Sequence, residues 1–259
     1  MFAPFTAHLW LSMVTSLGAG GLAVFLWRQG LRAVYPGFFS YLVAESVLGC
    51  LYAGIGFQFS RTVQAAYFLV YQPSLWVFYF LMIREIHAKC LARFPGIARA
   101  GHQVLVYGLL GSIILSVVTV QPDLQADNHE GATWVLYVTA AHRVVTGGLT
   151  LFLLLLTLIL TWFPVPTSRN SVLHTALSFF FFLLTTMAHL FRNLNGKMNT
   201  SEVNLGITAL VLLCLSVWAA LLRPSGEVTA SLESAELEDA SWILSQMEAL
   251  NRALLRGVK

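Results

Sequence analysis

Two ionisable side chains, Glu45 and Arg143, lie inside long apolar runs of the sequence, where charged groups are rare. A charge is costly to bury in lipid, so one that is kept there usually serves binding, transport or assembly. At 1.5 Å per helical residue, Glu45 lies about 10 Å from Phe38 at one end of its run. By the same measure, Arg143 lies about 13 Å from Trp134 at the opposite end of its own run. We therefore predict that the two side chains meet as a hydrogen-bonded ion pair.

A second interpretation keeps these two charges apart. The Arg143 side chain is long enough to reach the outer interface of a membrane while its stem stays in apolar surroundings. Glu45 would then be protonated, or bonded to a neighbouring backbone group. The sequence leaves both interpretations open.

Six further polar residues fall at a similar depth in five of the apolar runs and are candidates for a ligand pocket: His8, Tyr52, Tyr71, Gln72, His142 and His189. Polar groups that converge among aromatic side chains are typical of a small-molecule pocket. The alternative is that each histidine is a packed, hydrogen-bonded residue of the helix bundle. Both interpretations place these side chains inside the protein.

Other chemistry finds little support in the residue spacing. There is no His-x-x-His, Cys-x-x-Cys or acidic metal-binding pattern, so no metal site is predicted. His142 and His189 could serve as axial haem ligands, but nothing else in the sequence favours haem. No serine elbow, phosphate loop or pair of catalytic carboxylates occurs, so the sequence predicts no enzymatic reaction and no cofactor.

Seven apolar runs must position these residues: 6–27, 36–59, 63–86, 103–121, 133–163, 171–192 and 203–222. A bilayer core about 30 Å thick needs roughly 20 apolar residues in a helix. Backbone groups in lipid must be satisfied internally, and the runs lack the alternation of barrel strands. With 57% hydrophobic and 10% charged residues, the chain is predicted to be an all-α polytopic membrane protein with a seven-transmembrane-helix bundle.

Basic residues between the runs predict the orientation. With the N-terminus outside, three of them face outward, namely Arg61, Arg192 and Lys197. Eleven fall on the cytoplasmic side: Arg28, Arg32, Arg84, Lys89, Arg93, Arg99, Arg169, Arg223, Arg252, Arg256 and Lys259. This asymmetry favours an integral plasma (inner) membrane protein with its N-terminus outside and its C-terminus in the cytoplasm. No basic patch lies away from the membrane flanks, so nucleic acid is not an expected partner.

The polar tail forms a second unit, with the transmembrane domain over 1–224 and the tail over 225–259. An amphipathic helix is predicted at about 239–256, and its apolar residues are candidates for partner binding: Trp242, Ile243, Met247, Leu250 and Leu254. This helix could fold back on the bundle or the membrane surface. It could instead bind another protein or a second copy of the chain, or serve only as a solubilising tail.

Short motifs separate the chain from two large seven-helix families. The run 203–222 has no lysine for a retinal Schiff base, and the Asp-Arg-Tyr and Asn-Pro-x-x-Tyr motifs of G-protein-coupled receptors are missing. The chain resembles a family of uncharacterised bacterial seven-helix membrane proteins. The residues that carry this resemblance are Phe38-Phe39-Ser40-Tyr41, Tyr67-Phe68-Leu69-Val70-Tyr71, Glu85-Ile86, Arg143-Val144-Val145, Leu221-Leu222-Arg223-Pro224 and Asn251-Arg252-Ala253-Leu254-Leu255. The resemblance implies fold and membrane location only.

Three classes of function remain. In a receptor-like sensor, a small molecule binds in the outer-half pocket, the bundle shifts, and the third loop and tail helix pass the change to a partner. An accessory or structural subunit of a larger membrane complex is an alternative. So is a small-solute or proton transporter lined by Glu45, Arg143 and the histidines. We expect the sensor, because an odd number of apolar runs and the lack of an internal repeat do not fit usual carriers.

Overall fold

A computed structural model describes residues 3–92, 94–107, 110, 133–162, 167–194, 200–227, 245–253 and 255. Within these ranges the chain forms eight α-helical segments and no β-strand. They are α1 (Ala3–Arg28), α2 (Pro36–Gln58), α3 (Arg61–Cys90), α4 (95–107), α5 (Thr133–Trp162), α6 (Arg169–Leu194), α7 (Thr200–Leu221) and α8 (245–253). The prediction of an all-helical chain is confirmed for the described residues.

Five of these helices are long and apolar enough to cross a membrane: Leu9–Arg28, Pro36–Gln58, Thr62–Cys90, Tyr137–Thr161 and Arg169–Phe191. A shorter apolar segment, Leu205–Leu221, lies in α7. Large apolar side chains cover the outside, and Val70 and Leu151 are 66% and 64% exposed. Such a surface fits a lipid environment better than water. The architecture is that of a polytopic helical membrane protein.

The helix bounds agree with the sequence analysis to within a few residues, except at α4, which begins at residue 95 whereas the fourth run begins at 103. The third run was expected to end at residue 86, and α3 continues to Cys90. In the last turn of α3 the Lys89 ammonium lies 4.6 Å from the centre of the buried Tyr35 ring, a favourable contact. Most of the fourth run, 103–121, lies outside the described residues.

Neighbouring helices pack in sequence order and close into a ring. In that ring α1 contacts α2, α2 contacts α3, α3 contacts α5, α5 contacts α6, and α7 lies between α6 and α1. Small residues bring α1 and α2 together, because Gly49 of α2 lies against Ser16 and Gly20 of α1 lies against Ser46. Lipid supplies no hydrophobic drive for such contacts, so close backbone approach must supply the packing.

Local signals explain how several of the helices begin and end. Gly30, with φ of 73°, ends α1 in a left-handed turn whose Leu31 N–H donates to the Leu26 carbonyl. Pro36 begins α2, where its missing donor costs nothing. The Ser60 side chain caps α3 by accepting from the Val63 N–H.

A tight joint connects the start of α2 to the end of α3. The Gly37 N–H, one of the free donors in the first turn of α2, donates to a carboxylate oxygen of Glu85. Gly37 also lies against the backbone of α3, since a Cβ there would be only 2.7 Å from the Leu81 carbonyl oxygen. Only glycine allows this approach, so the joint sets the separation of α2 and α3.

A second joint closes the same end of the bundle. Asn170, at the start of α6, is fully buried, and its Nδ2 donates to the Arg223 carbonyl and to Glu227 Oε1, both at 2.6 Å. These acceptors belong to the turn that follows α7 and to the short 3₁₀ helix Pro224–Glu227. One amide therefore ties the end of α7 to α6.

The tail helix α8 packs on the bundle. Asn251 Oδ1 accepts from the Gly96 N–H at 2.5 Å, so a tail side chain caps the first turn of α4. Met247, one turn earlier on the same face, is buried, whereas Leu250 is 54% exposed. Of the five apolar residues predicted to bind a partner, Met247 thus faces the bundle and Leu250 faces outward. The other three, Trp242, Ile243 and Leu254, lie outside the described residues.

Candidate functional site

A cavity of about 230 Å³ lies within the ring of helices. It is larger than the roughly 150 Å³ cavity that admits a benzene molecule. Its walls come from α1, α2, α3, α5, α6 and α7, through Ser12, Thr15, Ser16, Tyr41, Glu45, Gly49, Tyr52, Phe68, Tyr71, Gln72, Leu75, Tyr79, Thr139, His142, Phe181, Thr185, His189, Ile207, Thr208 and Val211. Six helices therefore contribute to one cavity.

Glu45 is the one charged residue among the described residues of this wall. It is 8% exposed, and the Tyr71 hydroxyl lies 3.3 and 3.2 Å from its two carboxylate oxygens. Tyr71 donates one proton, so the other lone pairs of the carboxylate can still accept hydrogen bonds from a ligand. Glu45 thus presents acceptor capacity to the cavity.

Three tyrosines stack beside this carboxylate. The ring centroids of Tyr52 and Tyr71 are 5.5 Å apart with planes only 13° apart, and Tyr67 lies 6.2 Å from Tyr71. The Tyr67 hydroxyl donates to the Leu48 carbonyl at 3.1 Å, which joins the stack to α2. The stack holds the Tyr71 ring in place and therefore orients its hydroxyl toward Glu45.

A second polar group on the wall centres on His142 of α5. Two side chains of α3 reach its Nδ1, Gln72 Nε2 at 2.7 Å and Trp76 Nε1 at 3.1 Å. The indole N–H can only donate, so Nδ1 is the acceptor and the neutral ring carries its proton on Nε2. The ring of His189 from α6 meets His142 edge-on, with centroids 4.9 Å apart. These contacts hold α3, α5 and α6 together beside the cavity.

Aromatic rings close one end of the cavity. Tyr41 and Tyr79 lie 5.3 Å apart between ring centroids, and Phe181 lies within 6.3 Å of both. We call these three rings the aromatic floor. Beyond it, the buried His174 ring packs against Phe38 at 4.5 Å. The floor separates the cavity from the end of the bundle that holds the Gly37 and Asn170 joints.

The structure brings five of the six pocket candidates together on this wall: Tyr52, Tyr71, Gln72, His142 and His189. The side chain of His8 lies outside the described residues. Glu45 joins the same wall, and the hydrogen bonds described for its carboxylate come from Tyr71. The ion pair of Glu45 with Arg143, like ligand binding itself, stays a prediction.

Several wall residues escaped the sequence analysis, above all Tyr41, Phe68, Tyr79, Phe181 and Thr185. Helical periodicity could have found two of them. Tyr41 lies one turn before Glu45, and Tyr79 lies two turns beyond Tyr71, so each shares a helix face with a recognised candidate. Phe181 gave no such signal, because four consecutive phenylalanines circle α6 and the sequence does not say which one faces inward.

No group of three or more potential metal ligands occurs among the described residues. No protein-family model, no curated protein and no solved structure matches the chain. The role of the cavity must therefore be inferred from its own side chains.

Proposed function

We propose that this chain is a receptor-like membrane sensor that binds a small molecule in the cavity between its helices. The observation that carries the proposal is the convergence of Glu45, Gln72 and His142, from three different helices, on one cavity. Polar groups are costly to bury in a membrane domain. Where they occur there, they usually mark a functional site. Their grouping on an aromatic-lined wall is typical of ligand pockets.

Binding fits the cavity better than passage does. The aromatic floor of Tyr41, Tyr79 and Phe181 lies across one end, and the rings of Phe38, His174 and Trp218 pack beyond it. A solute would have to displace these close-packed rings to pass. A ligand that stops at the aromatic floor would instead contact rings that pack between several helices.

The proposal includes seven membrane-spanning helices, with the fourth run completing α4 and α7 spanning as well. The N-terminus is outside and the C-terminus cytoplasmic in the plasma (inner) membrane. Eleven basic residues against three support this orientation. The cavity then lies in the outer half of the membrane, and the two joints and α8 lie at the cytoplasmic end.

Thiol labelling tests this orientation. In a variant without the three native cysteines, Ala92→Cys is expected to react with a membrane-impermeant maleimide only after cells are opened. Asn128→Cys is expected to react in intact cells, because the fourth loop would then be outside. The opposite pattern would invert the proposed topology.

The tail helix supplies the output in this proposal. Asn251 of α8 caps α4, so a shift of α4 changes the position of the tail. The exposed side chains of Leu250 and Leu255 remain available to a cytoplasmic or membrane protein, or to a second copy of the chain. Small shifts in a packed bundle become visible at such attached elements because packed interfaces change between discrete arrangements.

A matched pair of phenylalanine substitutions tests ligand binding. Protein is purified in lipid nanodiscs, and bound small molecules are identified by mass spectrometry. Ser12→Phe places a ring in the cavity, so it is expected to lose at least nine-tenths of the bound molecule, roughly the effect of 1.4 kcal/mol. Ser216→Phe places the same ring on an exposed face of α7 and is expected to keep it.

The bound molecule is also expected to change the hydrogen exchange of residues 245–253 in the wild-type protein. Equal ligand content in the two variants would contradict the pocket. A ligand that leaves the exchange of α8 unchanged would contradict the role of the tail.

A further inference from the structure

We infer that the cavity selects an organic ammonium ion, an inference that rests on the proposed binding function. The first support is the charge on its wall. Glu45 is the single acidic residue among the described wall residues, and these include no lysine or arginine. Burying a carboxylate in a membrane domain is costly without a countercharge, and a cationic ligand in the cavity would supply one.

The second support is the aromatic content of the wall. Six rings line the cavity, and they belong to Tyr41, Tyr52, Phe68, Tyr71, Tyr79 and Phe181. The face of an aromatic ring carries negative charge and attracts a cation within about 6 Å of its centroid. Aromatic rings around one carboxylate are the arrangement that recognises substituted ammonium groups, which combine positive charge with apolar surface.

The geometry around Glu45 fits the same ligand. Tyr71 occupies one side of the carboxylate, at 3.3 and 3.2 Å from its oxygens, and the Tyr52 ring is stacked on Tyr71. An ammonium group on the cavity side of Glu45 would lie beside this carboxylate and close to the tyrosine rings. The volume of about 230 Å³ has room for a small ammonium group and its substituents.

Two pairs of probes, matched in shape and different in charge, test the inference. Benzylammonium is compared with benzyl alcohol, and choline with neohexyl alcohol, by calorimetry on the full-length protein in nanodiscs. Each cation is expected to bind about tenfold or more tightly than its uncharged counterpart, because it gains both the carboxylate and the ring faces.

Glu45→Gln identifies the origin of the preference. This variant keeps the size of the side chain, so it is expected to bind the cations about tenfold more weakly and to lose most of their preference over the alcohols. Residual alcohol binding also shows that the variant is folded. Glu248→Gln, at an exposed glutamate of α8, is the control and is expected to bind all four probes as the wild type does.

The outcomes separate this inference from the proposed function. Alcohols that bind as tightly as the cations, or a preference that survives Glu45→Gln, would overturn the ammonium inference and leave a pocket for neutral molecules. Failure of all four probes would also overturn it. The proposed function would fall separately, if the Ser12→Phe and Ser216→Phe proteins carried the same bound molecules.

Discussion

Gly37→Ala is expected to lower the stability of the protein by roughly 2–3 kcal/mol, because overpacking forces backbone to move. The added Cβ would lie 2.7 Å from the oxygen and 2.9 Å from the carbon of the Leu81 carbonyl. A flexible side chain could turn away from such a contact, but the backbone of α3 cannot do so alone. The shift would also disturb the hydrogen bond between the Gly37 N–H and Glu85.

Thermal unfolding in detergent measures this effect, with an expected fall of roughly 5–10 °C in the apparent melting temperature. Gly54→Ala in the same helix is the matched control, since a Cβ at Gly54 meets no atom within 4 Å. Alanine favours helix over glycine, so the control is expected to be unchanged or slightly more stable. Equal losses in both variants would show that the α2–α3 joint does not depend on Gly37.

His142→Leu is expected to destabilise the protein by roughly 2–4 kcal/mol, since two buried donors lose their acceptor. Gln72 Nε2 and Trp76 Nε1 both reach His142 Nδ1, and leucine offers nothing in its place. Gln72 is 8% exposed and His142 is 6% exposed, so bulk solvent reaches neither side chain directly. The apparent melting temperature in detergent is the measurement.

A double variant decides whether the loss comes from unsatisfied donors or from the changed shape of the side chain. Gln72→Leu combined with His142→Leu removes one of the orphaned donors, so it is expected to be more stable than His142→Leu alone. If the stability losses of the single variants Gln72→Leu and His142→Leu simply add in the double variant, the two side chains are not coupled and the prediction fails. Arg143, next in the chain, is left unchanged in all of these variants.

The apolar runs predicted the helices well because the requirement they meet is local. A long apolar segment must satisfy its own backbone in lipid, and only helical hydrogen bonding does so within one segment. Turn residues added detail in the same way, as at Gly30 and Pro36, where a single residue type determines the backbone. The end of α3 at Cys90 lies beyond its apolar run, because hydropathy alone does not show how far a helix continues into polar residues such as Lys89.

The candidate site was less predictable from sequence. Depth along each helix suggested that Tyr71, Gln72 and His142 lie at one level, and the structure places them on one wall. The sequence does not give the rotation of each helix about its axis, so it left open whether Glu45 pairs with Arg143, and it did not identify Tyr71 as a partner of Glu45. Helical periodicity could have identified residues one turn from a candidate, such as Tyr41, but it could not have identified Phe181.

The sequence by itself determined that this chain is helical and apolar enough for a membrane, since each run is long enough to satisfy its own backbone inside lipid. Tertiary structure alone decided which faces turn inward, and so which polar groups share the cavity. That choice depends on side chains far apart in sequence, such as Ser16 against Gly49 and Gln72 against His142. Lipid is as apolar as the helix surfaces, so close packing and hydrogen bonds between helices select the arrangement rather than hydrophobicity.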